Sequence, residues 1–118
     1  QLQAYDFLFM DSSHIIRPQG DVLYEFLDIL PRLRSGVVVH VHDIFTPKDY
    51  PTEWVVEEHR LWNEQYLLEA FLTNNPQFRI IAAVNYLKTH YRDQFNQVCP
   101  LSGTMDDDVP GSFWMVKS

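Results

Sequence analysis

Two apolar runs, each ending in an acid and separated by about one helix's length of chain, constrain this sequence more than anything else in it. The first, Tyr5-Asp6-Phe7-Leu8-Phe9-Met10, ends at Asp11 and runs on into Ser12-Ser13-His14. The second, Gly36-Val37-Val38-Val39-His40-Val41-His42, ends at Asp43. A short, near-continuous apolar run is the pattern of a strand buried on both faces, as in a parallel sheet. Parallel strands need a crossover, and Val22, Leu23, Phe26, Leu27 and Leu30 supply one at three- and four-residue spacing. Asp21 is the expected N-cap of that helix, and Pro31 its expected stop or kink. Ligands in open α/β sheets bind outside the carboxyl ends of the strands. Asp11 and Asp43 are therefore expected side by side at one rim, and the chemistry is expected there.

Further along, Ile44 to Thr52 reads as a loop with two prolines, placed to form a lid or substrate wall. A long helix is expected over Trp54 to Thr73, with a possible break near Glu58. Leu61, Leu68 and Leu72 give it one apolar stripe. Asn74-Asn75-Pro76 stops it. Phe78 to Val84 reads as a third strand, and Tyr86 to Val98 as a weakly amphipathic helix or an irregular excursion. Pro100 to Gly111 reads as a polar loop, and Ser112 to Val116 as a fourth strand that closes an antiparallel pair with the third. The whole is an α/β single domain over residues 1–118.

With 118 residues, 46% hydrophobic and 14% aromatic, the chain can bury one modest core. A net charge of −7 disfavours nonspecific binding to nucleic acid or an anionic membrane, which needs clustered Lys and Arg. The apolar runs fall short of the ~20 residues of a membrane helix. Cys99 is the only cysteine, so no intrachain disulfide and no Cys-rich metal site can form. A reducing, cytoplasmic setting is expected. The chain begins at Gln1 and enters a strand almost at once, as a piece of a longer protein would.

Among the polar residues, Asp11 reads as a metal ligand or general base, or else as an Asx cap of its loop. His14, three residues on, can reach the same rim. His42 can serve as a general base near neutral pH or as a ligand to a soft ion, and Asp43 as a ligand or a turn cap. His40 is expected to be buried and hydrogen-bonded, and His59 and His90 to be solvated. Glu64 defaults to a helix-surface acid, Asp106-Asp107-Asp108 to a solvated turn, and Trp54, Trp62 and Trp114 to packing.

The segments Tyr5–His14, Leu30–Val39, His42-Asp43-Ile44 and Gly111–Val116 together resemble the C-terminal half of a class I S-adenosylmethionine-dependent methyltransferase. In that family the fourth strand ends in an acid, often followed by a His, and the fifth ends in an acid. Strand seven is inserted antiparallel between five and six. The resemblance implies a partial Rossmann-like three-layer sheet, parallel strands first and a C-terminal antiparallel strand last. It implies methyl transfer to a hydroxyl of a small molecule or sugar, with catalytic roles for Asp11, His14 and His42. A divalent metal on Asp11, His42 and Asp43 is a further expectation. His42 stands where those enzymes often carry an acid, which favours Mn²⁺, Fe²⁺ or Zn²⁺ over Mg²⁺. The family's Gly-rich cofactor loop is missing, since the four glycines form no Gly-x-Gly cluster. S-adenosylmethionine would then be held mostly upstream. The first strand would show a bare edge, and the chain would pair with a second copy through it. Two other readings stand beside this one. One is an inactive or interaction-module fragment, and the other a metal-dependent hydrolase built on His40, His42, Asp43, Asp11 and His14.

Overall fold

The structure, a computed structural model, describes residues 1–104 and 109–118. β1 (Phe7–Met10) and β2 (Val38–Val41) pair in parallel, Phe7 opposite Val38 and Met10 opposite Val41. The connection between them is one helical path with three pitches. α1 (Asp21–Tyr24) runs into a π turn (Glu25–Ile29) and then a 3₁₀ turn (Leu30–Arg32) that holds Pro31. Proline has no N–H and cannot continue the α ladder, so the helix tightens and ends there as expected. Asp21 is not the N-cap. Gly20 holds that position, while Asp21 is the first helical residue and its carboxylate accepts Ser13 N–H (2.9 Å) and Ser13 Oγ–H (2.6 Å). The acid thus ties the helix to the loop after β1 instead of capping its own helix. Gly36, at φ +86°, turns the chain into β2, where a Cβ would sit 2.7 Å from that of Ala4.

In place of one long helix there are two, α2 (Thr52–Val56) and α3 (Glu64–Leu72), broken around the expected Glu58. β3 (Phe78–Ala83) leads directly into α4 (Val84–His90), and α5 (Arg92–Val98) follows after a bend at Tyr91. A 3₁₀ turn covers Pro100–Thr104, and β4 (Phe113–Lys117) closes the sheet. The strand order is β1-β2-β4-β3, with β4 antiparallel to both neighbours. The sheet is therefore mixed: β1, β2 and β3 run one way and β4 the other. Asp106 to Asp108 lie outside the described residues.

Alternation along the strands sends Met10, Val39, Val41, Phe113 and Met115 to one face. There they pack with Val22, Phe26 and Leu30 of the crossover and Leu68 of α3. The opposite face carries Phe7, Phe9, His40 and Trp114. Phe7 is 66% and Phe9 58% exposed, so β1 is not buried on both faces as its composition predicts. The β1 edge is also free, because β1 has a sheet neighbour on one side only.

Candidate metal centre

The two acids emerge where the parallel pair ends. His42 N–H donates to Met10 O (2.9 Å), carrying the β1–β2 ladder one residue past the strands. Asp11 and Asp43 then leave neighbouring strands at the same rim. Asp43 adopts φ +56°, and the next residue, Ile44, donates its N–H to Gly111 O (2.8 Å). Gly111 lies so close that a Cβ would stand 2.9 Å from Asp43 Cα and 3.2 Å from Asp43 Oδ1. A glycine there lets the approach to β4 press against Asp43 and hold it in place.

His14 is the centre of the cluster. Its backbone sits at φ +57°, a left-handed conformation costly for a residue with a Cβ unless its surroundings over-determine it. They do so here. The His14 carbonyl accepts the N–H groups of Asn63 (3.0 Å) and Glu64 (3.2 Å), so it satisfies the start of α3. Asn63 in turn accepts Ile16 N–H through its side-chain oxygen. The side chain is only 8% exposed, and its ring lies against Trp62, ring centres 4.2 Å apart. Its Nδ1 is 2.8 Å from Glu64 Oε2, and its Nε2 is 3.3 Å from Asp11 Oδ1 and 3.8 Å from Asp43 Oδ2. Burial disfavours the imidazolium. The hydrogen bond to Glu64 and the charges of Glu64, Asp43 and Asp11 outweigh that effect and raise the pKa above its ordinary value.

One ligand atom each from Asp11, His14 and Asp43 lies within 4.8 Å of the other two. Donors at about 2.1 Å from a common ion lie about 3 Å apart when adjacent in an octahedron, shorter than the 3.3 Å and 3.8 Å at Nε2, so the side chains would draw together by less than about 1 Å to share an ion. Two carboxylates and one imidazole suit Mn²⁺, Fe²⁺ or Zn²⁺. The set differs from the expected Asp11, His42 and Asp43, with His14 as the nitrogen donor. His42 stands beside it, Nδ1 3.2 Å from Asp43 Oδ1 and 3.7 Å from Asp11 Oδ1, in contact range without an aligned hydrogen bond. Its side chain is 42% exposed, with Nδ1 itself enclosed.

Other expectations resolve differently. His40 is only half-buried and its Nε2 has no hydrogen-bond partner. It stacks on Trp114 at 4.1 Å on the open sheet face, away from the cluster that a hydrolase site would need. Burial lowers its pKa, as does the charge of His42. His59 and His90 are exposed, as expected. Trp54 and Trp62 pack in the wall after β2, with the Arg60 guanidinium 4.2 Å and 5.0 Å from their ring centres. Glu64, expected on the surface, is 1% exposed and touches His14. The signal for it was the interrupted helical pattern before Asn63-Glu64, which makes Glu64 a first-turn residue free to face inward.

No family model, curated protein or solved structure matches the chain. Among the described residues, no helix is long and apolar enough to cross a membrane.

Proposed function

We propose that this chain is the acceptor-binding, C-terminal part of a cytoplasmic class I S-adenosylmethionine-dependent methyltransferase acting on a hydroxyl of a small molecule or sugar. The observation that carries the reading is the strand order β1-β2-β4-β3, with β4 inserted antiparallel between two strands that run the other way. This fits the fourth, fifth, seventh and sixth strands of the family in spatial order. The acids at the ends of β1 and β2 then fall where that fold gathers its site.

The residues present do not form a cradle for the methyl donor. The turns after β1 and β2 read Asp11-Ser12-Ser13-His14 and Asp43-Ile44-Phe45-Thr46, with no glycine in either. The donor's contacts belong in this reading to sequence upstream, beside the free edge of β1. The residues do fit a divalent ion, held by Asp11 Oδ1, Asp43 Oδ2 and His14 Nε2. When bound, the ion lowers the pKa of an acceptor hydroxyl and orients it. His42, whose side chain is 42% exposed while Nδ1 is enclosed against both acids, takes the hydroxyl proton at Nε2. Titration calorimetry of S-adenosylmethionine into the full-length protein tests the reading, and saturable binding is expected. A flat titration would reject it.

The bare face and edge of β1 favour a second reading for the chain in isolation, an interaction module. Unpaired strand edges recruit further strands, and Phe7 and Phe9 add apolar surface beside this one. Self-association through β1 is the behaviour proposed for it.

A further inference from the structure

Among the described acids only Glu64 is buried. One of its carboxyl oxygens, Oε2, lies 2.8 Å from His14 Nδ1, and the other, Oε1, is enclosed without a hydrogen-bond partner. Burying an acid in this way opposes folding unless something offsets it. Two features help. Glu64 is the first residue of α3, where the helix dipole favours negative charge. Its own N–H donates to the His14 carbonyl, so one residue grips both the backbone and the ring of His14.

The chemistry of that contact sets the ring. A carboxylate only accepts, so Nδ1 carries a proton and donates it, and in the neutral ring Nε2 is left with its lone pair. Nε2 is the atom that faces Asp11 and Asp43. Trp62, tilted 33° against the imidazole with ring centres 4.2 Å apart, limits rotation about the contact. We infer that Glu64 is the positioning residue of this centre: by holding Nδ1–H it selects the tautomer and orientation of His14 that turn Nε2 to the point shared with Asp11 and Asp43. The inference deepens the reading of those three residues as a cation site and rests on it. Carboxylates placed behind a metal-binding histidine typically account for 10–100-fold in metal affinity.

Mn²⁺ titration of the purified chain, followed by loss of the free-ion paramagnetic resonance signal, tests the role alongside circular dichroism of each variant. Glu64→Leu is expected to weaken Mn²⁺ at least tenfold. Glu64→Gln, whose amide oxygen can still accept Nδ1–H, is expected to recover part of the loss. Equal affinity of wild type and a folded Glu64→Leu chain overturns the inference. A second measurement needs no variant: long-range ¹H–¹⁵N spectra of metal-free wild type, above the titration of His14. A proton on Nδ1 with Nε2 bare is expected, and the reverse tautomer overturns the inference even if Glu64→Leu does not fold. Wild type that binds no Mn²⁺ while showing the Nδ1–H tautomer removes the cation site and leaves the hold of Glu64 on the ring standing.

Discussion

His14 joins three acids, and the charge it carries follows from them. Its folded-state pKa is raised above the ordinary 6.5. A group shifted this way contributes stability that is complete below its unfolded value and is lost as pH rises through its folded value. In EDTA, wild type is therefore expected to lose stability relative to His14→Gln as pH rises above 6.5. Urea denaturation at a series of pH values measures this, and a wild type that gains on the variant over the same range contradicts it. With Mn²⁺ present the sign should reverse, since the ion competes with the proton for Nε2. The sequence showed that His14 follows Asp11 closely enough to share its rim. Neither its burial nor its left-handed backbone was legible, because both depend on α3 starting against its carbonyl.

At the level of elements, the break between α2 and α3 matters most. Leu61, Leu68 and Leu72 share a spacing that one continuous helix would put on a single face. The break releases Leu61 from that face and leaves it 73% exposed, whereas Leu68 is fully buried against the crossover. Leu68→Ala is expected to cost about 2–5 kcal/mol, and Leu61→Ala no more than about 0.5 kcal/mol. Urea midpoints would distinguish them, and equal losses would favour the unbroken helix. Periodicity could not locate the break, because contacts distant in sequence make it: Asn63 binds the backbone of Ile16, and His14 takes the first N–H groups of α3. The same break turns Glu64 from a surface acid into the partner of His14.

For the molecule as a whole, the sheet has one packed face and one that is largely open. Apolar runs such as Phe7-Leu8-Phe9-Met10 read as two-sided strands, yet Phe7 and Phe9 meet solvent here while Met10 lies in the core. Phe9→Lys is thus expected to leave folding stability almost unchanged. It should also shift the chain toward monomer on size-exclusion chromatography at high concentration. A wild type that elutes as a monomer throughout would count against association through β1.

Local chemistry was enough to define the strands, the crossover and the acids at their ends. Runs of Val and Phe, helical spacing and Pro31 act within a few residues of themselves. The α/β class, the parallel first pair and the antiparallel close were accordingly legible from residue order. Which histidine is buried between the two acids was decided by tertiary structure, because along the chain His42, next to Asp43, stands nearer an acid than His14, three residues from Asp11. The difference is made by Glu64, 50 residues away from His14, and by the backbone contacts that bring α3 to His14.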